Sequence, residues 1–433
     1  MMEWQVKTIK DLGKVVTGKT PSKENDEFYK DGELPFVSPK DLDWNSYYVY
    51  DTQTKVTDKA YDSQKNQRVP KNSVFYTSLS FAIGKIGIAS RESLTNQQIH
   101  SIVVNDKHDY KFVYYLLQQY RPYIFCFNSG IDTPIVPKSV FEKINVVVPD
   151  LEVQKKIAAI LSAYDELIEN NKKRIQILEN MAEELYKEWF VRFRFPNWEN
   201  TEFEKGIPKD WNTLKMSEIV GYYIGGGWGE EEQNLDFSEE AYVIRGTDIP
   251  KINGMHFSEK VLRFHKPSNL KSRLLQAYDL IFEVSGGSKD QLLGRNLMIT
   301  PNLLQIFENK VICASFCKLI RFNLDKVNPF FMKYFMKLYY KYDLVGLYQV
   351  QSTGISNYQF ESFLKHQTIQ VPTKSLTDQF EKVVKPLVEQ MENLGLQNEM
   401  LVSTRNSLLP RLISEKLSVE DLDIYFPPSM QDQ

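Results

Sequence analysis

From Ile157 to Trp189, and again from Phe380 to Leu412, apolar residues recur at alternating steps of four and three, and each ladder carries an asparagine on one rung. This is heptad spacing, and it predicts two long helices with a coiled-coil seam. The first ladder reads Ile157, Leu161, Tyr164, Ile168, Asn171, Ile175, Leu178, Ala182, Leu185, Trp189; the second reads Phe380, Val384, Leu387, Met391, Leu394, Asn398, Leu401, Arg405, Leu408, Leu412. Run antiparallel with Asn171 beside Asn398, every rung finds a rung: Ile157 meets Leu412, Ile168 meets Leu401, Trp189 meets Phe380, and Tyr164 lies beside Arg405 in reach of a cation-π contact. A seam asparagine weakens a coiled coil but fixes its register, because a slip leaves its amide unpaired in an apolar layer. Roughly 36 residues at ~1.5 Å each make a rod on the order of 55 Å long, suited to a spacer. Asp150 is the expected cap of the first helix, Ser375 with Asp378 that of the second, and Pro386 predicts a kink near the second helix's start.

Outside the ladders the chain repeats one order of elements. Trp4-Gln-Val-Lys-Thr-Ile answers to Trp211-Asn-Thr-Leu-Lys-Met, and the turn at Gly18 to Gly225-Gly-Gly-Trp-Gly. Leu34-Pro-Phe-Val-Ser-Pro-Lys-Asp-Leu answers to Ala241-Tyr-Val-Ile-Arg-Gly-Thr-Asp-Ile, and Ser73-Val-Phe-Tyr-Thr-Ser to Asp279-Leu-Ile-Phe-Glu-Val-Ser. The loop ending Gly84-Lys-Ile-Gly answers to Gly286-Gly-Ser-Lys, the helix from Tyr110 to the helix from Pro329, Ser129-Gly-Ile to Thr353-Gly-Ile, and Val146-Val-Val-Pro to Ile369-Gln-Val-Pro. Mixed strand runs with short helices give an α+β class: two repeated domains built on a mixed, twisted β-sheet, separated by two long antiparallel coiled-coil helices. Because the first rod leaves one globule and enters the other, pseudo-twofold symmetry is expected.

A chain of 433 residues suits two or three domains, and its 42% apolar and 25% charged residues are ordinary for a globular protein. The start lacks an apolar signal segment and no apolar run reaches membrane-spanning length, so a cytoplasmic protein without membrane contact is expected. Three cysteines are too few for a disulfide framework, Cys313 and Cys317 read as buried core thiols, and five scattered histidines give a metal site little support. The net charge of -3 divides as +1 for 1–150, 0 for 151–195, +1 for 196–374 and -5 for 375–433. Any nucleic-acid face must therefore be a local patch.

Three motifs point toward enzymes, and context argues against each. Gly13-Lys-Val-Val-Thr-Gly-Lys-Thr20 matches the phosphate-binding pattern G-x-x-x-x-G-K-[ST], but Pro21 and a polar run follow where a helix should start. Asn328-Pro-Phe-Phe331 resembles the Asn-Pro-Pro-aromatic signature of adenine-N6 methyltransferases without its second proline, and an N-cap followed by a first-turn proline explains it. Gly225 to Gly229 is followed by Glu230-Glu-Glu, a poor neighbour for an anion. A P-loop NTPase, a self-sufficient methyltransferase and a pure coiled-coil scaffold are the competing classes.

Several segments together have a recognisable shape: Thr17-Gly-Lys-Thr-Pro-Ser22, Leu34-Pro-Phe-Val-Ser-Pro-Lys-Asp41, Gly84-Lys-Ile-Gly, Val148-Pro-Asp-Leu-Glu-Val-Gln-Lys-Lys-Ile157, Leu185-Tyr-Lys-Glu-Trp-Phe-Val-Arg-Phe-Arg-Phe-Pro196 and Ser407-Leu-Leu-Pro-Arg-Leu-Ile413. The chain resembles the specificity subunit of a type I restriction-modification system over essentially its whole length. The resemblance implies target-recognition domains at 1–150 and 196–374, spacer helices at 151–195 and 375–415, and an acidic tail at 416–433. It also implies a non-catalytic subunit that reads an asymmetric two-part sequence in double-stranded DNA, one half per domain. Chemistry would come from two methyltransferase subunits using S-adenosylmethionine and from restriction subunits, ATP- and Mg-dependent translocase-nucleases, with no cofactor on this chain. The alternative is the specificity subunit of a type II-like system with a fused nuclease-methyltransferase partner. Base reading needs amide, guanidinium, ammonium and hydroxyl groups on loops. The candidates are Lys23, Lys40, Ser78, Ser80, Lys85, Gln97 and Gln98 in the first domain and Arg245, Lys289, Arg295, Gln349 and Gln351 in the second.

Overall fold

The heptad runs form the helices that their spacing implies: Leu151–Tyr186 is one helix of 36 residues and Lys374–Ile413 another of 40. The computed structural model describes residues 4–130, 132–286, 291–352, 354–427 and 430. By contacts the chain forms two compact units, Met1–Ile168 with Leu401–Gln433, and Glu169–Met400, so each long helix contributes a segment to each unit.

In the first unit, Gln5–Thr8 pairs antiparallel with Asn145–Val148, which delivers the chain to the first long helix. There Asp150 Oδ1 accepts from the Val153 N–H at 2.9 Å, the expected cap. A five-stranded sheet takes Gly13–Thr17, Ile99–Val104, Val74–Thr77, Ile86–Ala89 and Tyr48–Val49 in that spatial order. Beside it Leu34–Val37 runs antiparallel to Thr54–Val56 and parallel to Leu94–Thr95. The helix Tyr110–Phe125, capped by Asp109, is buried on all sides from Tyr110 to Gln118, in a core that also holds Ile157, Leu161, Leu409 and Leu412. The seam is therefore part of this unit's core. Arg405, 2% exposed, gives its guanidinium to the Asp165 carboxylate, which also accepts the Tyr115 hydroxyl. Where the ladder pointed to the Tyr164 ring as its partner, the cation takes the carboxylate one residue further on, because a buried charge needs a counter-charge.

The second unit repeats the plan. Asn212–Lys215 pairs antiparallel with Thr368–Val371; Val220–Gly225, Cys317–Phe322, Leu280–Glu283 and Asn296–Met298 make a four-stranded sheet; and Glu239–Ile244 runs antiparallel to Val261–His265 and parallel to Val311–Cys313. The helix Pro329–Lys341 stands where Tyr110–Phe125 stands in the first unit. Within this unit Asn171 Nδ2 donates to Asn398 Oδ1 at 3.0 Å, both side chains buried. The Trp189 and Phe380 ring centroids lie 5.8 Å apart, so the two helix segments run antiparallel in the register set by the asparagines. A π-helical turn at Lys187–Val191 lets both Trp189 and Phe190 enter the core against Phe380. The second long helix begins at Lys374, with Thr373 as its cap: the Leu376 N–H points at Thr373 Oγ1 (3.4 Å). Ser375 thus lies inside the first turn instead of starting it, since the threonine just after Pro372 offers a hydroxyl first. The helix continues through Pro386, held on its inner face by the buried Phe380, Val384, Val388 and Met391. Further along, a Cβ on Gly395 would fall 2.7 Å from both Met255 Cβ and Met255 O, so only glycine lets that loop reach the helix backbone.

The first long helix is tied to this unit by charge as well. Glu183, 7% exposed, sits 2.8 Å from the Lys187 ammonium, 2.5 Å from Lys341 and 3.0 Å from Lys337. Burial works to raise its pKa, but hydrogen bonds from the three lysines outweigh that and hold the carboxyl at about 2, against 4.5 for an ordinary glutamate. Its stabilising contribution is then complete above about pH 4.5 and is lost as pH falls toward about 2. A Glu183→Gln variant is expected to show a shallower loss of stability over that window, measured as urea midpoints at pH 6 and pH 3. Equal pH slopes for the two proteins would count against it.

Candidate nucleic-acid interface

In each unit, turns at the ends of the same strands meet, held by backbone hydrogen bonds that correspond one for one. In the first, Thr77 N–H donates to Lys85 O (2.9 Å), Gly84 N–H to Thr77 O (3.1 Å), Ser78 N–H to Gln98 O (2.8 Å), Asn96 N–H to Val37 O (3.0 Å) and Val136 N–H to Ser78 O (2.9 Å). In the second, Glu283 donates to Arg295 (2.9 Å), Gly294 to Glu283 (3.1 Å), Val284 to Phe316 (2.9 Å), Ala314 to Ile244 (2.9 Å) and Tyr358 to Val284 (2.8 Å). The Ser38 N–H bonds the Asp41 carboxylate at 2.8 Å as the Arg245 N–H bonds Asp248 at 2.9 Å. Gly18 and Gly226 are matched too: a Cβ on either would lie 2.2 Å from a backbone carbonyl oxygen, so both turns need the missing side chain.

These matches assign the repeat residue by residue. Arg295 stands where Lys85 does, Phe316 where Gln98 does, and Arg245 where Ser38 does. They also correct the expected pairing of Gly84-Lys with Gly286-Gly-Ser-Lys. The glycine equivalent to Gly84 (φ +96°) is Gly294 (φ +98°), because the second unit's loop is longer before the turn closes. Lys289 lies in that loop, outside the described residues.

The candidate residues fall into distinct situations. Lys23, Lys40 and Gln97 are exposed on the first unit's loops, with Gln97 Oε1 accepting from Thr20 Oγ1 at 2.9 Å. Gln98 is half-buried and takes a hydrogen bond from Asn96 Nδ2 (3.3 Å). Lys85 Nζ reaches Pro39 O at 3.2 Å. Ser80 holds its loop in a left-handed turn (φ +66°) and donates its N–H to Pro134 O. Ser78 does not face solvent: it is buried, and its hydroxyl donates to Gln98 O at 3.1 Å, so it holds two loops together. In the second unit Gln351 is exposed on the hairpin Gln349–Ser352/Ile355–Tyr358, whereas Gln349 Oε1 accepts the Leu293 N–H at 2.9 Å. Arg245 and Arg295 come together on one cavity of about 660 Å³. Trp228, Thr247 and Phe316 also line it, and the sequence reading missed all three. Phe316 sits between two buried cysteines and looks like core by hydropathy, yet it is 62% exposed.

The motifs that pointed to enzymes are used structurally. Gly13–Thr17 is a strand paired with Ile99–Val104, and Lys19 and Thr20 follow in an irregular loop. Asn328 caps the helix Pro329–Lys341, its Oδ1 accepting from Phe330 N at 2.9 Å, and its Nδ2 donates to Glu381 of the second long helix. Cys313 and Cys317 are buried, and burial pushes the Cys313 thiol up to about 12. Among the described residues no cluster of His, Cys, Asp and Glu could hold a metal ion, and no helix is long and apolar enough to cross a membrane.

A family model for the type I restriction modification DNA specificity domain matches residues 1–180. The type I restriction enzyme MjaIX specificity subunit of Methanocaldococcus jannaschii is 29% identical over 97% of this chain and 95% of its own. Residues 1–180 thus carry the type I specificity domain, and a likeness to a type I specificity subunit extends over nearly the whole chain. The HindI specificity subunit of Haemophilus influenzae matches it at 32% identity over 36% of this chain and 35% of that one. The crystal structure of a type I S subunit from M. genitalium covers 95% of this chain and 96% of that one, with a TM-score of 0.55 at 15% identity, a likeness of fold. The family model ends within the first long helix, while the MjaIX likeness runs on through the second set of loops.

Proposed function

We propose that this chain is a type I specificity subunit that reads a two-part, asymmetric sequence in double-stranded DNA, one half through the loop cluster of each domain, and brings methyltransferase and restriction subunits to it. The observation that carries the reading is one backbone frame built twice with different side chains at matched positions: serine against arginine, lysine against arginine, glutamine against phenylalanine. A repeated frame gives two readers one geometry, and exchanged side chains give them different base-edge chemistry. The chain itself supplies no catalytic group in this reading. Methyl transfer from S-adenosylmethionine belongs to two modification subunits, and ATP- and Mg-dependent cleavage to the restriction subunits. With a net charge of -3, attraction to phosphate rests on local cations such as Lys23 and Lys40, so binding should weaken steeply with added salt.

The test is an exchange of residues 1–150 for the matching domain of a relative with a different target, followed by methylome sequencing of cells carrying the assembled system. One half of the methylated sequence is expected to change while the other half and the gap stay as they were. Change in both halves would show that the domains are not independent readers.

A further inference from the structure

Two arginines on the second domain's cavity are each gripped along one edge only. Asp248 takes Nε of Arg245 at 2.9 Å and its Nη2 at 2.7 Å, and Glu283 takes Nε and Nη2 of Arg295. In both, the guanidinium is engaged side-on, and Nη1 has no hydrogen-bond partner among the described residues. The end-on edge, Nη1 with the second Nη2 hydrogen, is the fork that matches two acceptors side by side. Arg295 is the deeper of the two, 14% exposed, and forms the floor: a Cβ on Gly246 would fall 2.6 Å from its partner carboxylate, so glycine alone lets the neighbouring turn close over the pair. Arg245 is the accessible one at 38%. Trp228 and Phe316, 39% and 62% exposed, provide apolar walls.

We propose that Arg245 reads a guanine in the half-site of the second domain, donating end-on to O6 and N7, with Asp248 as the residue that positions it. This rests on the DNA-reading function proposed above and specifies its chemistry. Phosphate is the other common partner of an arginine fork, and the charge balance argues against it. Each guanidinium here already has its own carboxylate and the walls are apolar, so the site favours a neutral ligand with two adjacent acceptors, which is what guanine presents in the major groove. The first domain offers no such fork at the matched place, where Ser38 donates its hydroxyl to Asp41 at 2.7 Å. The two halves are then read by different chemistry on one frame.

The experiment uses the assembled methyltransferase complex, its target motif first defined by methylome sequencing. A second half-site with no G·C pair overturns the proposal at once. Otherwise each such guanine is replaced in turn by 7-deazaguanine, which lacks N7, in duplexes bound by the wild-type complex. One position is expected to lose affinity several-fold, and if none does the proposal fails; this measurement needs no variant to fold. Arg245→Ala is expected to lower the preference for guanine at that same position about 10- to 100-fold and to be indifferent to the deaza substitution. Arg245→Lys, which keeps the charge without the fork, should fail to restore the preference, whereas restoration would assign the residue to general attraction. Asp248→Asn should leave guanine preferred but by a smaller margin. An Arg245→Ala complex with unchanged base preferences refutes the inference while leaving the function above intact; that function falls separately if exchanging residues 196–374 leaves the second half-site unaltered.

Discussion

Replacing Arg405 by methionine is expected to lower the stability of the first unit by about 3–5 kcal/mol, the scale for removing one partner of a buried ion pair. Arg405 and Asp165 are 2% and 4% exposed at their side chains, so neither charge can turn to water when the other is removed. The Asp165 carboxylate also accepts the hydroxyl of Tyr115, whose own ionisation is driven upward, first by burial and then by that carboxylate. Loss of the guanidinium therefore leaves a buried negative charge without its counter-cation. The double variant Asp165→Leu with Arg405→Met removes both charges, and it should recover most of the loss because apolar pairs of similar size often replace buried ion pairs without penalty. Urea unfolding of the two single variants and the double variant measures the coupling. A single-variant loss below about 1 kcal/mol would mean that water reaches the pair.

The same pair marks what the sequence could and could not say. Heptad spacing located both long helices, and the asparagine rungs implied the contact between Asn171 and Asn398, because periodicity is a property of the backbone repeat and survives in the sequence. It named Arg405 as a seam residue. It put the Tyr164 ring beside Arg405 and missed the Asp165 carboxylate, because the two residues are neighbours on the helix and only side-chain direction separates them. The repeat was legible for the same reason as the seam: strands and caps recur in order. It failed at the loop between Val284 and Leu293, where the number of residues differs and only the closing hydrogen bond of Gly294 to Glu283 reveals the alignment.

The candidate site was legible as a set of loops and illegible as a surface. Arg245 and Arg295 were chosen for their chemistry and do share a cavity, but 50 residues of chain separate them and nothing local signals that they meet. Ser78 was chosen on the same grounds and is buried, since a hydroxyl in a turn serves the backbone as readily as a ligand. Phe316 was passed over because an aromatic residue in an apolar run is ordinarily core, and Trp228 because it was read only as part of a glycine-rich turn.

Lengthening the helix pair should change the gap between half-sites and leave the half-sites themselves unchanged. Four residues inserted after Asn171 add about 6 Å of helix, close to the ~7 Å taken by two base pairs. Four more inserted just before Asn398, the stretch that faces the first insertion in an antiparallel pair, give the partner helix the same extra turn, so the seam can pair again on both sides of the asparagines. The insertion rotates the following residues by about 40° beyond a full turn, while two base pairs rotate the DNA by roughly 70°, so the readers should stay near the groove with a modest twist to absorb. In the reading proposed here the base contacts come from loops within each domain, and their separation comes from the helices that the domains share. Methylome sequencing of the doubly lengthened protein is therefore expected to show the original half-sites separated by one or two additional base pairs. The single insertion after Asn171 alone puts the rungs on one side of the asparagine pair four residues out of register and should cost both stability and methylation. Altered half-site bases at an unchanged gap would show that the helices do not act as the ruler.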